Sequence, residues 1–411
     1  MKIGEFAELC GTSRDTVRFY ISKGLLLPDT RGSQMQFSDH DVEEMHLILR
    51  MKSLSFSLDE IRKYLTIMRI SNMVEPESIL EASDILECKR DELELQIENL
   101  RKIQYELSQD IDQLKKHIHP AEKTGLPLRA LPLLTCPHCG KTLQLSDASL
   151  DTTYIYQGQV QCGCGYQAVI EDGILKTGNL YTGSHDHPDV GRGLYRSISE
   201  DFDIYMQRCN QRVIEELRKR DLHGKVLLEA HLNGYFLLYN NITRLDPDCT
   251  YILVDRYPEV LARYKQNIEQ LGLRLHILYI ADNSMDWPIQ QGCVDYVLSG
   301  MDDTEHSLYF PSSYINDVQS FLKEDAQVIG IRFGYKEGAK SLSNLRFKYP
   351  EGDCEGFRWQ QVCREYQRLG YTYHSELIGE IEKCKDAYSF ACQEEGEKLI
   401  IGFFLAQKRG E

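Results

Sequence analysis

Leucine recurs every seven residues at positions 86, 93, 100, 107 and 114, within a stretch, 83–118, that holds neither glycine nor proline. Four residues after each leucine stand Arg90, Ile97, Gln104, Ile111 and Ile118, so both seam positions of a heptad are largely apolar. The pattern predicts one long helix. An amphipathic helix packed on its own chain would also be apolar on one side, but the strict 3.5 period with polar flanks favours a coiled coil that joins two copies. Arg90 and Gln104 in the seam would lower its stability while fixing register and partner number.

That helix divides the chain, and 411 residues are in any case too many for one hydrophobic core. Composition shifts give four blocks: 1–75, 76–120, 131–178 and 195–411, with a Gly-, His- and Asp-rich linker, Gly183-Ser184-His185-Asp186-His187-Pro188, before the last. No apolar run reaches transmembrane length, the first five residues form no apolar leader, and the thirteen cysteines are odd in number and mostly scattered. These features predict a protein that is not in a membrane and resides in a reducing, cytoplasmic compartment.

In the first block, apolar residues at 3, 6 and 7 predict a short helix, Gly11 a turn, and Ser13 the cap of a second helix over about 14–23. Val17, Phe19 and Tyr20 are expected inward; Arg14, Arg18 and Lys23 are expected outward. Helix, glycine turn and helix with exposed arginine is an arrangement that the DNA major groove accepts. Charge does not support this by itself. The chain carries −16 overall, and residues 1–70 hold ten Lys/Arg against ten Asp/Glu.

Ile3-Gly4-Glu5-Phe6-Ala7, Thr16-Val17-Arg18-Phe19-Tyr20, Gly24-Leu25-Leu26 and Phe56-Ser57-Leu58-Asp59-Glu60-Ile61 resemble the MerR family over about 1–70. The resemblance implies a winged helix-turn-helix, a wing near 30–38 and an antiparallel helix pair joining two subunits on pseudopalindromic promoter DNA. It implies DNA contact by Arg14, Thr16, Arg18, Tyr20 and Lys23. Where the family carries a wing arginine this chain reads Ser33-Gln34-Met35-Gln36-Phe37, so Arg31 is the candidate substitute. Cys88, alone near the start of the long helix, is read as structural.

Cys136-Pro137-His138-Cys139 and Cys162-Gly163-Cys164 can set four thiolates around one zinc ion, and four sulfurs leave no open position, so the metal is expected to be structural. With Tyr166 and Glu171-Asp172-Gly173-Ile174-Leu175, these residues resemble the small β zinc ribbon found ahead of certain methyltransferases.

The last block alternates helix and strand as an α/β domain with a parallel sheet does. Strands are expected at 225–229, 251–255, 275–279, 294–299, 327–331, 371–374 and 399–404. The block resembles the class I methyltransferase, Rossmann-like fold that binds S-adenosylmethionine, which implies Glu229 and Gly234 in the first loop, Asp255 on the ribose, and Asp282 with Asn283 near the adenine. The first loop departs from that pattern. Glu229-Ala230-His231-Leu232-Asn233-Gly234-Tyr235 has one glycine, and His231 and Asn233 would crowd a cofactor. The loop could hold the cofactor in an altered pose, bind another small ligand, or be closed. No catalytic residues are assigned, and Asp302, Asp303 and His306 are read as a solvated loop. The overall expectation is a homodimeric DNA-binding regulator whose last domain senses a small molecule, S-adenosylmethionine or a related ligand. The alternatives are a working methyltransferase targeted by the head and a scaffold that docks a protein.

Overall fold

The computed structural model describes residues 1–31, 34–71, 74–116, 122–184, 186–191, 199–382 and 392–408, with the side chains of Arg31 and Gln34 excepted. Ser33, Ile118 and His185, each used in the sequence reading, therefore lie outside the described residues. The chain forms two compact units, Met1–Lys116 and His117–Glu411.

The first unit begins with α1 (Ile3–Leu9) and α2 (Arg14–Ser22). Gly11 makes the turn between them at φ +63°, where a side chain would be strained. The Ser13 hydroxyl caps α2 by accepting the Thr16 amide at 3.1 Å. A hairpin of β1 (Asp29–Arg31) and β2 (Gln34–Gln36) follows, in the expected wing position. Then come α3 (Asp39–Ser53), α4 (Leu58–Ser71) and α5 (Pro76–Lys115). Phe6, Val17, Leu25, Leu26, Met45, Ile48 and Ile61 are buried together, each contributing about 1.5–3 kcal/mol of apolar burial. Arg69 of α4 clips the body: it donates to both Glu44 oxygens, at 2.6 and 2.8 Å, and to the Leu25 carbonyl at 2.7 Å.

Helix α5 is 40 residues long, about 60 Å at 1.5 Å per residue. Its heptad residues Leu86, Ile97, Leu100, Leu107, Ile111 and Leu114 are exposed in the single chain, between 42% and 71%. An apolar stripe of that length in water is unfavourable unless something covers it.

The second unit is built on one mixed sheet. Its strands are β3 (Leu126–Pro127), β4 (Gln144–Leu150), β5 (Tyr154–Gln161), β6 (Gln167–Glu171), β7 (Ile174–Lys176), β8 (Val226–Glu229), β9 (Thr250–Asp255), β10 (His276–Ala281), β11 (Val294–Ser299), β12 (Leu322–Gly334), β13 (Tyr371–Ile381) and β14 (Leu399–Lys408). Its helices are α6 (Glu200–Arg218), α7 (Pro258–Gln270), α8 (Asp302–Ser307), α9 (Tyr314–Val318), α10 (Lys340–Lys348) and α11 (Trp359–Arg368). The order runs β13-β14-β12-β11-β8-β9-β10-β7-β6-β5-β3, with β4 beside β5. Strands β12 to β10 are parallel, and the order reverses between β8 and β11, as in a doubly wound α/β layer. All seven expected strands are present: β11 at the expected residues, β8 one residue shorter, and the others shifted or lengthened at their ends.

The strands that flank the cysteine loops are not set apart from this layer. Strand β7 pairs parallel with β10, Tyr279 opposite Ile174 and Ala281 opposite Lys176, so both regions share one sheet.

Two readings need correction. Phe19, expected inward, is 44% exposed, with the Lys23 ammonium 5.7 Å from its ring. Asp302, Asp303 and His306, expected in a solvated loop, form part of α8 and are 6% exposed or less. Burial is tolerated because each has partners: the Gly300 amide on Asp302 at 3.2 Å, the Tyr366 hydroxyl on Asp303 at 3.3 Å, and Asp317 on His306 at 2.9 Å.

Candidate functional site

Helix α2 and its C-cap residue Lys23 present the three cations singled out in the sequence. Arg14, Arg18 and Lys23 are exposed, while Thr16 is half-buried and bonded to the Ser13 hydroxyl at 2.8 Å. The Arg18 guanidinium meets Asp15 at 3.2 Å, with side chains 63% and 90% exposed. A pair so exposed holds little energy, so Arg18 is free to exchange that partner for a phosphate or a base edge. Arg14 lies against Gly4, where an added Cβ would come within 2.8 Å of the guanidinium, so glycine lets α1 approach it. Tyr20 is buried in the core and supports the helix from behind. The Arg31 backbone pairs with Gln34 across the wing hairpin.

The four cysteines Cys136, Cys139, Cys162 and Cys164 converge, with all four sulfurs within 4.8 Å of one another. The pairs 136/164 and 139/162 each stand 3.4 Å apart. Burial pushes the Cys136 thiol up to about 12; a divalent cation among the sulfurs would reverse that and hold them as thiolates. A soft, all-sulfur tetrad fits zinc and leaves no position for substrate.

The residues expected around an adenosyl cofactor also converge, at the carboxyl ends of β8, β9 and β10, but the chain itself takes their hydrogen bonds. Asp255 accepts the Asn233 amide at 2.7 Å and the Tyr257 amide at 2.8 Å. Burial pushes its carboxyl up to about 6, against the pull of Arg256. Asp282 accepts the Ser284 amide at 2.6 Å, the Ser284 hydroxyl at 2.9 Å and the Thr177 hydroxyl. The Asn283 amide donates to the Asn179 carbonyl at 2.6 Å. Glu229 is wholly buried and caps the Leu237 and Leu238 amides; burial and nearby Asp302 push its carboxyl well above the usual range. At Gly234, an added Cβ would stand 3.2 Å from the Glu305 carboxyl.

His231 occupies the position where a glycine was expected, at φ +52°, and its Nε2 lies 3.3 Å from Nδ1 of His306. The remaining cavity beside Asp255, His231 and Asp282 measures about 10 Å³. That is room for one water, where an adenosyl ligand needs a few hundred Å³ (roughly 300 or more). These residues do not fit S-adenosylmethionine.

Sequence reasoning missed Arg256. Its Nη2 meets Glu305 at 2.7 Å, both residues buried, and its guanidinium lies 3.7 Å from the ring centre of the half-buried Tyr309. The adjacent Asp255 was the only signal, and spacing does not tell that an arginine turns inward.

The description "MerR HTH family regulatory protein" matches residues 1–66, and "MerR, DNA binding" matches 42–109. The mercuric resistance operon regulatory protein of Bacillus cereus is 30% identical over 105 residues, 25% of this chain and 76% of that protein. The protein of the same description from Pseudomonas fluorescens is 37% identical over 83 residues, 20% of this chain and 58% of its own length. The solved structure of an S-adenosylmethionine-dependent methyltransferase from Aquifex aeolicus is 13% identical, covering 47% of this chain and 88% of that one at TM-score 0.31, a likeness too slight to carry function. With the capped two-helix head and hairpin in place, and a relative matched over three quarters of its length, the chain belongs to the MerR family of helix-turn-helix regulatory proteins.

Proposed function

We propose that the protein is a transcriptional regulator that binds double-stranded promoter DNA as a homodimer paired through residues 83–118, and that its α/β domain, about 195–411, senses a small-molecule effector and does not catalyse methyl transfer. In this reading residues 1–75 read DNA, with Arg14, Thr16, Arg18, Lys23 and Arg31 in contact and Tyr20 acting from the core. Residues 76–120 dimerise, and 131–178 form a ribbon around structural zinc held by Cys136, Cys139, Cys162 and Cys164. The setting is cytoplasmic; among the described residues, no helix is long and apolar enough to cross a membrane.

One observation carries the reading: a Ser13-capped α2 displays Arg14, Arg18 and Lys23 on the open side of a two-helix unit, with a hairpin wing in the same unit. The exposed stripe on α5 supports a second copy. Against the working methyltransferase stand the cavity of about 10 Å³ and the acidic residues already bonded within the chain. An effector on the α/β domain would shift the placement of the two heads, and DNA would shift effector affinity by the same factor.

The test is a gel-shift titration on duplexes selected from a random pool by the full chain. Arg18→Ala is expected to lose about 1–3 kcal/mol of DNA affinity and to keep its dimer mass in sedimentation. Unchanged affinity removes α2 as the reading helix.

A further inference from the structure

We propose that the cleft at the carboxyl ends of β8, β9 and β10 has the chain itself as its ligand: residues 177–184 and 186–189 lie across it as a strap, and the buried Arg256 takes the place of a cationic guest.

The strap is bonded along its length to the loops that would receive a nucleotide-like molecule. The Thr177 amide donates to the Ala281 carbonyl at 3.2 Å, and its hydroxyl donates to Asp282. The Asn179 side-chain amide donates to Asp282 at 3.4 Å and to the Ser284 hydroxyl at 3.2 Å, while the Asn179 carbonyl accepts the Asn283 amide. The Tyr181 ring stands edge-on to Tyr309, 5.4 Å between centres, and 5.6 Å from the Arg256 guanidinium; its hydroxyl donates to Glu351 at 3.2 Å. Asn233, in the glycine-poor loop, holds the far end. Its side-chain amide donates to Asp186 and to the His187 carbonyl, both at 3.1 Å, and its carbonyl accepts the Asp189 amide at 2.8 Å.

The charge balance points the same way. S-adenosylmethionine carries a sulfonium, an ammonium and a carboxylate, one net positive charge. Here a guanidinium with 2% residue exposure already holds Glu305 at 2.7 Å and lies against the Tyr309 ring, so the anionic and aromatic partners that a cationic guest would use are taken. Bonds that a ligand would need are already made, and a ligand could gain them only by breaking the hydrogen bonds of Thr177, Asn179 and Asn233 described above. Asn233 and His231, which depart from the glycine pattern, thus serve the closed state: one pins the strap and the other fills the loop.

The inference concerns the α/β unit alone, so its failure would leave the DNA-reading proposal standing. Two measurements on the full-length protein test it. Calorimetry with S-adenosylmethionine up to about 1 mM is expected to register no binding, where a working cleft would saturate at micromolar levels. Hydrogen exchange of peptides spanning 177–191 is expected to be slowed by about tenfold or more relative to an unstructured chain, and Asn233→Gly is expected to erase most of that protection over 186–191. A dissociation constant below about 100 μM in the natural chain, unprotected strap amides, or strap exchange unaltered by Asn233→Gly would each overturn the proposal. If Asn233→Gly fails to fold, the two wild-type measurements decide it alone.

Discussion

Asp303 is 6% exposed, accepts the Tyr366 hydroxyl at 3.3 Å, and is pushed up to about 6 by burial against the pull of Arg332. In the unfolded chain the same carboxyl ionises near 4. Between those values the unfolded state has released a proton that the folded state keeps, so this group lowers stability as pH rises from about 4 to about 6, by on the order of 1 kcal/mol per unit, and adds nothing further above that. Asp303→Asn lacks the term. Its midpoint in urea is therefore expected to gain on the natural chain between pH 4 and pH 6; a constant difference across that range would contradict the burial argument. The cysteines give a second test at this scale. One zinc per chain is expected by metal analysis, and Cys136→Ser is expected to lose most of it, since Cys136 is the most buried of the four sulfur residues; full zinc content in that variant would refute the ligand set. The four cysteines were legible because close pairs of thiols are rare outside metal sites. Asp302, Asp303 and His306 were not, because the polar run 302–306 looks the same in water and in a satisfied interior, and the partners Tyr366 and Asp317 come from other helices.

Periodicity carried the elements well. The heptad leucines marked α5 although the helix starts earlier, at Pro76, where proline suits a first turn. The β-branched runs marked every strand of the α/β layer, since strands buried on both faces read as continuous apolar segments. Phe19 was misplaced because its neighbour Tyr20 already fills the inward position of α2, and helix geometry cannot send consecutive residues to one face. The pairing of β7 with β10 was not legible at all: three residues, Ile174–Lys176, carry no signal of which edge they will join. At this scale the exposed α5 seam makes a direct prediction. Leu107 is 57% exposed in the single chain, so Leu107→Asp should leave the fold of one copy intact. Burying two carboxylates at a paired seam would instead weaken dimerisation by several kcal/mol, roughly a hundredfold or more in dissociation constant. Sedimentation should show half the natural mass, with unchanged helix content by circular dichroism; a variant that keeps dimer mass would place the contact elsewhere.

Across the whole chain, a net charge of −16 coexists with a head that holds equal numbers of acidic and basic residues over 1–70. DNA affinity then rests on a few placed cations and not on bulk attraction, so binding should fall less steeply with salt than for a strongly basic protein that meets six or more phosphates. The carboxylates at the carboxyl ends of β9 and β10 are bonded within the chain and leave a cavity of about 10 Å³, which is the ground for proposing that the second unit does not transfer methyl groups. Hydroxyl-radical footprinting of the full-length protein on its selected duplex tests the central claim most directly. Two heads held by one twofold seam predict two protected patches related by a dyad, their centres separated by about one helical turn (roughly 10 base pairs) or a multiple of it, and both lost together in Leu107→Asp. A single patch, patches without dyad symmetry, or no protection on any duplex would contradict it.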